Sequence, residues 1–392
     1  METPLRAVRV SRGWSQLRVV VQLEALGAAR GLPMPNRASL KTQLSRWENG
    51  HVRPKEPYCS LLAEIYEVTS SELGLDGALE PVVSRLLRGV HAGLVSPARL
   101  TPESVAFMDE LLRTYAHADN EIGPRHLLHV ASQHVVHLEP LLLDAPAELR
   151  KEGLRLCSRF AEFAGWLSQD AGDLDAAQHW TDRALDFVEE IGDKQIRSYV
   201  LMRKSGVAAE RRDHARSVSL AVASGRDGQD LWPRVRALSL RQQAVSHALV
   251  GDKRASQRAA GQAIEAALEG DQAGGDDWTY CTESYVRMEA GTSALNLHRY
   301  QDAAKQLAKA ATTWPDGFAR DQGLCLARLA IAEAAQGSID TACAVGRDAM
   351  AVTKVADSAR TRKVLLSLRQ RLAPYDRLAF VSEFRRELAG LV

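Results

Sequence analysis

The chain has 392 residues, which is more than one compact core usually holds and leaves room for two or more domains. Its 50 basic and 49 acidic residues give a net charge of +1, which excludes a polybasic protein that coats nucleic acid without specificity. Alanine is abundant and no strand-like alternation of apolar and polar residues persists, so we expect an all-α protein.

The sequence also predicts a compartment. Residues 1–4 lack the basic start and following apolar run of a signal peptide, and no apolar stretch approaches the roughly 20 residues of a membrane span. The five cysteines lie far apart without a Cys-x-x-Cys spacing, which is typical of reduced, mostly buried thiols. We therefore expect a cytoplasmic protein that makes no membrane contact.

Two short helices are predicted before residue 31. The first spans about Pro4 to Arg12, and the second begins at Ser15, whose hydroxyl can cap it. The apolar residues of the second helix are Leu17, Val20, Val21, Leu23 and Leu26. The Gly- and Pro-containing run of residues 31–35 ends this helix.

The third predicted helix, residues 39–50, has an apolar back and a polar front. Leu40, Leu44 and Trp47 recur at i, i+4 and i+7, the spacing that buries one helical face against its neighbours. The donors on the remaining surface, which suit base edges and phosphates, are Lys41, Thr42, Gln43, Ser45 and Arg46. An ordinary solvated amphipathic helix is the alternative interpretation of these residues taken alone.

Positive charge concentrates around this helix. Residues 1–75 hold ten basic and seven acidic residues, a balance of +3, whereas the remainder of the chain has a balance of −2. Between residues 36 and 55 one acid, Glu48, stands against five basic residues: Arg37, Lys41, Arg46, Arg53 and Lys55. A local positive patch is expected on a surface that contacts DNA.

Three runs in the first 75 residues resemble the XRE-type (lambda-repressor-like) helix-turn-helix family. They are Gly13-Trp-Ser-Gln16, Leu44-Ser-Arg-Trp-Glu-Asn-Gly50 followed by Arg53-Pro54, and Leu61-Leu-Ala-Glu-Ile65 leading into Glu72-Leu73. The resemblance implies a DNA-binding domain of five helices over residues 1–76, with a capping box at residues 69–72 opening the fifth helix. The stretch between Gln16 and Ser45 is longer than is usual for the family.

A DNA-binding interpretation assigns roles to these side chains. Arg37, Lys41 and Arg53 are expected to neutralise phosphates. Thr42, Gln43 and Arg46 are expected to face base edges, with Ser45 in the same set of donors. Because one such helix buries too little surface to select a site, the sequence predicts a homodimer on an inverted repeat of double-stranded DNA.

Residues 77–150 are predicted to form a helical connecting region. A helix opens at residues 101–104, and a second, from about Arg125 to Leu138, carries four histidines on one broad face. They are His126, His129, His134 and His137. A shared metal ion is one interpretation, but the interleaved valines and the absence of a nearby cysteine favour partly buried or surface histidines, so we expect no metal site.

Short hinges recur beyond residue 150, at intervals of 40, 39, 47 and 39 residues. They are Gly172-Asp173, Arg212-Asp213, Gly251-Asp252, His298-Arg299 and Gly337-Ser338. An alanine follows shortly after each hinge: Ala177, Ala215, Ala255, Ala303 and Ala342. Seven residues later Ala184, Ala310 and Ala349 continue the pattern, whereas Val222 and Gln262 interrupt it.

Small residues at a fixed phase let paired helices approach closely, and stacked pairs build a continuous core. The pattern resembles degenerate tetratricopeptide (TPR) repeats, with Ala164-Gly-Trp-Leu167 and Gly172-Asp-Leu-Asp-Ala-Ala177 as the best local matches. It predicts a TPR-like α-solenoid over residues 151–392, ending in a polar cap that includes Arg360. An irregular helical domain without repeats is the alternative.

No catalytic motif occurs: the chain has no GxSxG, HExxH, Walker loop or dinucleotide-binding glycine pattern. We therefore expect a protein that is not an enzyme and has neither catalytic residues nor a cofactor. The combined patterns predict a dimeric, sequence-specific transcriptional regulator whose TPR-like domain senses a peptide or small molecule or binds a partner protein.

Peptide-responsive regulators of Gram-positive bacteria have a similar layout, and the Ala-, Arg- and Leu-rich composition indicates an actinobacterial source. The alternative function is a protein–protein scaffold or anti-regulator whose helix-turn-helix unit docks partners without binding DNA. The long segment between Gln16 and Ser45 favours this alternative, and the intact donor set of the third helix argues against it.

Overall fold

The computed structural model of the protein describes residues 3–30, 32, 34–49, 52, 54, 57–66, 68, 73, 99–122, 124–273, 278–314, 318–355 and 358–390. These residues contain eighteen α-helices and no β-strand, as the sequence predicts. The chain divides into two compact units, residues 1–95 and 96–392. None of the helices within the described part of the chain is both long and apolar enough to cross a membrane.

The described part of the first unit contains four helices. They are α1 Pro4–Ser11, α2 Gln16–Ala29, α3 Arg37–Glu48 and α4 Tyr58–Ile65. Short polar side chains cap the first three: Thr3, Ser15 and Asn36 each accept a hydrogen bond from a backbone N–H in the first turn. The predicted fifth helix and its capping box at residues 69–72 lie outside the described residues.

The core of the first unit confirms the predicted face of α3 and shows which side of α2 is buried. Leu40, Leu44 and Trp47 are buried, whereas Leu17 and Val21 of α2 are 51% and 42% exposed. The buried hydrophobic residues in the described part of α2 are Val19, Val20 and Leu23. A helix of 3.6 residues per turn places these three on one side and residues 17 and 21 on the other. Because α2 carries apolar side chains on more than one of its sides, hydrophobicity alone does not identify the buried side.

The second unit contains fourteen α-helices within its described residues. They are α5 Pro102–Ile122, α6 Pro124–Leu141, α7 Ala147–Ala171, α8 Leu174–Ile191, α9 Lys194–Glu210, α10 His214–Ser224, α11 Pro233–Leu249, α12 Lys253–Ala273, α13 Glu283–Asn296, α14 Tyr300–Ala311, α15 Ala319–Gln336, α16 Ile339–Val355, α17 Ala359–Arg371 and α18 Ala379–Ala389. Helices α7 to α16 form five successive pairs. The structure groups residues 96–150, assigned above to a connecting region, with these repeats, and α6 packs along α7.

Each pair is joined at a residue with left-handed backbone geometry. The φ angles are 88° at Gly172, 64° at Arg212, 79° at Gly251, 56° at His298 and 91° at Gly337. These are the first residues of the five hinges predicted from the sequence. At three hinges the next residue, an aspartate, accepts a hydrogen bond from a backbone N–H of the following helix. The hinge therefore ends one helix and caps the next.

Small buried residues recur at three positions counted from the hinge. Seven residues before it lie Gly165, Ser205, Ala244, Gly291 and Ala330. Five residues after it lie Ala177, Ser217, Ser256, Ala303 and Ala342. Twelve residues after it lie Ala184, Ser224, Ala263, Ala310 and Ala349. The five repeats are therefore in phase throughout.

The predicted alanine positions were wrong in the second and third repeats. Ala215 is exposed and Ala255 is half-buried, and Val222 and Gln262 are exposed too. Serine occupies the buried position in both repeats, and the Ser217 hydroxyl lies 2.7 Å from that of Ser246 and 3.1 Å from that of Ser205. A search restricted to alanine missed these positions because serine is also small and its hydroxyl can be hydrogen-bonded when buried.

Glycine allows the closest approach between paired helices. A methyl group added at Gly291 in α13 would lie 2.5 Å from Leu307 Cγ in α14, whereas one added at Gly261 in α12 would meet nothing within 4 Å. Both glycines lie in helix interiors, where alanine raises helix propensity by about 1 kcal/mol.

We therefore expect Gly291→Ala to be less stable than Gly261→Ala by about 1–3 kcal/mol, the usual cost of overpacking a core. Urea unfolding of the full chain, followed by circular dichroism, measures this difference. Gly261→Ala is the matched control because it carries the same gain in propensity. Equal stability of the two variants would contradict close packing at Gly291.

The histidines of α6 do not share one environment. His134 is buried and its ring stacks with that of Tyr115. The distance between His134 Nε2 and the Tyr115 hydroxyl oxygen is 3.0 Å. His129 and His137 are exposed. The side chain of His126 lies outside the described residues. Burial, with a smaller contribution from nearby His137, lowers the pKa of His134 to about 4.

This pKa predicts an acid-dependent loss of stability. Because the pKa of His134 in the folded protein lies below its ordinary value of 6.5, protonation favours the unfolded state. The stability contributed by the neutral imidazole is present above about pH 6.5 and is lost as the pH falls toward 4, by about 3 kcal/mol in total. Urea unfolding at several pH values should show a shallower pH dependence in His134→Phe than in the wild type. Parallel curves would refute this assignment.

Candidate functional site

Helix α3 presents the polar side chains that the sequence singled out. Lys41, Thr42 and Arg46 are exposed, and Gln43 and Ser45 are half-buried. Lys41 and Arg46 make no ion pair with any described residue. An exposed cation that no carboxylate neutralises remains available to an anionic ligand.

Arg37, Thr42 and Gln43 of the predicted DNA-contacting set interact with groups of the protein itself or are partly buried. Arg37 is 60% exposed, and its Nη2 lies 2.6 Å from Glu24 Oε2. Gln43 has a buried Oε1 with no hydrogen-bond partner in the described part of the chain, and the Thr42 hydroxyl donates to the Ala38 carbonyl at 3.0 Å. The predicted phosphate contact Arg53 lies outside the described residues.

A buried carboxylate, that of Glu48, joins the run of residues 44–50 to the run of residues 13–16. Glu48 is 1% exposed and accepts hydrogen bonds from Arg9 Nε at 2.5 Å, Arg9 Nη2 at 3.0 Å and Gln16 Nε2 at 2.8 Å. The hydrogen bond to Glu48 is the main reason that the pKa of Arg9 is raised. Arg9 also donates to the Trp14 carbonyl at 2.6 Å. Gln16 and Glu48 therefore hold α1, α2 and α3 together, a role that sequence analysis did not assign to them.

Removing this carboxylate leaves the Arg9 side chain, which is 13% exposed, without its counter-ion. We expect Glu48→Ala to lower the stability of the first unit by about 3–5 kcal/mol. Hydrogen exchange of residues 3–66, followed by mass spectrometry, measures the change. Glu24→Ala breaks the exposed pair with Arg37 and is the control, with little or no change expected. Similar exchange in both variants would show that the Glu48 network does not hold the unit together.

The second unit contains a polar face formed by the first helices of its pairs. Nine residues before the hinge, four of the five repeats carry a charged or amide side chain: Arg203, Gln242, Glu289 and Arg328. Thirteen residues before it, two repeats carry half-buried tyrosines, Tyr199 and Tyr285. We call this surface the inner face.

Ion pairs between helices distant in sequence show which side of the second unit is the inside. Arg320 of α15 pairs with Asp170 of α7 and with Asp119 of α5, the latter at 3.0 Å. Arg360 of α17 pairs with Asp170 at 2.8 Å. These contacts span 150 to 201 residues of sequence, so they form on the inside of the curve that the pairs describe.

The prediction that Arg360 belongs to the polar outer cap was therefore wrong. Its guanidinium lies over the Trp166 ring at 4.4 Å, and the Trp166 indole donates to Asp119 Oδ2 at 2.9 Å. A charge-rich segment at the end of a repeat domain predicts a solvent-exposed helix. Only the curvature of the repeats brings it against α7.

Most charges on the inner face are paired. Arg203 lies 2.8 Å from Glu162 and donates to Gln169 at 3.0 Å, and Arg328 lies 2.8 Å from Glu289. Burial raises the pKa of Glu162 against the opposing effect of Arg203. Burial also opposes ionisation of Glu289, but Arg328 and Arg241 together hold its pKa below the ordinary value.

This face combines buried charges of both signs with half-buried tyrosines. Such a surface suits a ligand with charged groups and a backbone to hydrogen-bond, such as an extended peptide. Sequence analysis missed it because charged residues on amphipathic helices usually face solvent. The signal that could have found them is their constant distance from the hinge.

No protein-family model and no curated protein matches the chain. Among solved structures it is similar to a Rap protein in complex with Competence and Sporulation Factor, with a TM-score of 0.52 and 13% identity over 80% of this chain and 93% of that chain. This similarity concerns the fold. The second unit is thus a TPR-like helical solenoid in an all-helical protein, as predicted.

Two further structures are similar at lower TM-scores. One is a signal transduction ATPase with numerous domains and a TPR sensor from Pyrococcus horikoshii, with a TM-score of 0.34 and 14% identity over 85% of this chain and 61% of that chain. The other is the apo form of RapI, with a TM-score of 0.31 and 13% identity over 80% of this chain and 97% of that chain.

Proposed function

We propose that the protein is a DNA-binding transcriptional regulator with no catalytic activity or cofactor. The first unit reads DNA, and the second unit receives a peptide or small-molecule signal or binds a partner protein. The observation that carries the proposal is the polar surface of α3, where Lys41 and Arg46 have no ion-pair partner in the described part of the chain. Behind it, buried Leu40, Leu44 and Trp47 anchor the helix.

In this proposal α3 enters the major groove of double-stranded DNA. Lys41 and Arg53 neutralise phosphates, and Arg37 does so once it leaves Glu24. Thr42, Gln43 and Ser45 provide hydrogen-bonding groups, and Gln43 is suited to adenine. Arg46 is suited to guanine or to a phosphate. A homodimer on an inverted repeat supplies the second half-site.

The inner face of the second unit is the proposed signal-binding surface. The Rap protein with a similar fold was solved in complex with Competence and Sporulation Factor, and this analogy supports a peptide ligand. Charged groups of both signs and half-buried tyrosines also support it. A ligand that binds one conformation of the solenoid more tightly shifts the population toward it, which is how the signal would alter DNA binding.

The second candidate is a protein–protein scaffold or anti-regulator whose first unit docks partners. The Arg37–Glu24 ion pair favours it, because that pair neutralises one of the cations expected to contact phosphate. The long segment between Gln16 and Ser45 also favours it.

Substituting Gln43 and Arg46 by alanine should distinguish the two functions. Genomic footprinting of the tagged protein identifies a site, and gel shifts at about 50 and 200 mM salt measure affinity and stoichiometry. We expect two chains per inverted repeat and loss of sequence preference in the double variant, because each bidentate base contact contributes about 1–3 kcal/mol of discrimination.

Lys363→Ala removes an exposed charge from the second unit and serves as the control. It should bind DNA like the wild type. Diffuse binding by the wild-type protein that disappears at the higher salt concentration would favour the scaffold instead.

A further inference from the structure

Arg241 differs from the other buried arginines of the inner face. It is 8% exposed and lies on α11, ten residues before the hinge at Gly251. Its Nη1 donates to Gln242 Oε1 at 2.8 Å, and its Nη2 contacts the Met202 sulfur at 3.1 Å. Its Nε is buried and has no hydrogen-bond partner in the described part of the chain. Only neutral groups therefore accept from this guanidinium.

The neighbouring buried arginines have carboxylate partners. Arg203 pairs with Glu162, and Arg320 pairs with Asp119 and Asp170. Glu289 attracts Arg241 electrostatically, but its carboxylate is hydrogen-bonded to Arg328. A buried cation without a counter-ion is costly in free energy, and a guanidinium fits a carboxylate through two parallel N–H bonds.

Tyrosines from adjacent repeats surround Arg241. Its guanidinium carbon lies 5.5 Å from the centre of the Tyr285 ring, and the Tyr280 ring packs on Tyr285 at 5.2 Å. The Tyr280 hydroxyl donates to that of Tyr199 at 3.2 Å, whereas the Tyr285 hydroxyl makes no hydrogen bond with a described residue. The site thus holds a buried cation that no carboxylate of a described residue hydrogen-bonds and, beside it, a hydroxyl able to donate.

We infer that Arg241 binds a carboxylate of the ligand, which displaces Gln242 and Met202 from the guanidinium and accepts a further hydrogen bond from the Tyr285 hydroxyl. The inference rests on the proposed signal-binding function of the inner face. It specifies that the ligand is a peptide that presents a free carboxylate, either at its C-terminus or on an Asp or Glu side chain.

Three matched series of short synthetic peptides test the inference on the full-length protein. The first has a free C-terminal carboxylate and neutral side chains, the second a C-terminal amide with one Asp or Glu, and the third a C-terminal amide with Asn or Gln instead. We expect binding to the wild type in the first or second series and affinity about 100-fold lower in the third. The preferred series identifies which carboxylate is bound.

Arg241→Met keeps the aliphatic stem and removes the guanidinium. We expect this variant to bind all three series with the low affinity of the neutral peptides. Arg254→Met removes an exposed arginine from α12, the second helix of the same pair, and should retain the wild-type preference. Two results would overturn the inference and leave peptide sensing intact. One is a carboxylate preference that persists in Arg241→Met, and the other is that peptides without a carboxylate bind the wild type as tightly as peptides with one. Failure of every series to bind the wild type would instead remove peptide sensing and the inference with it.

The stability of the ligand-free variants separates a binding role from a structural one. Because no carboxylate of a described residue hydrogen-bonds Arg241, we expect Arg241→Met to unfold close to the wild-type temperature. Arg203→Met leaves Glu162 buried without its counter-ion, so we expect it to unfold at a lower temperature. A loss in Arg241→Met as large as that in Arg203→Met would identify Arg241 as a structural residue and overturn the inference.

Discussion

The left-handed residue at the end of each first helix is the constraint on which the second unit depends. It reverses the chain within two residues, and the positions seven before and five after it then lie where the paired helices meet. Only glycine, alanine and serine occupy those positions, because the helices approach so closely that larger side chains do not fit. Arg212 and His298 adopt the left-handed conformation without being glycine, a local cost that the packing of the surrounding repeats must offset.

Repeating this geometry brings the first helices together along one side, where charged residues become buried. Pairs such as Arg320 with Asp170 are weak sources of net stability, since the desolvation of both ions opposes their attraction. Apolar residues of similar size would pack the same space, so folding does not require these charges. Arg241, which no carboxylate in the described part of the chain hydrogen-bonds, differs from these paired arginines.

In the first unit, some polar residues of the motifs are buried and hold helices together, whereas others are exposed. Glu48 and Gln16, both in motifs that resemble a DNA-binding family, turn inward and join three helices. Lys41 and Arg46, from the same stretch of sequence, remain exposed. A motif therefore mixes residues that fix the fold with residues that are free to bind, and spacing alone does not distinguish them.

The sequence by itself determined the all-helical class, the five hinges, the repeat and the buried face of α3, because each depends on residues within a few turns of one another. It did not determine which side of α2 is buried, that serines replace alanines in two repeats, or that Arg360 meets Asp170. Those outcomes depend on contacts between elements that are remote in sequence. The inner face likewise exists only once the curvature of the stacked pairs brings together residues 150 to 201 positions apart.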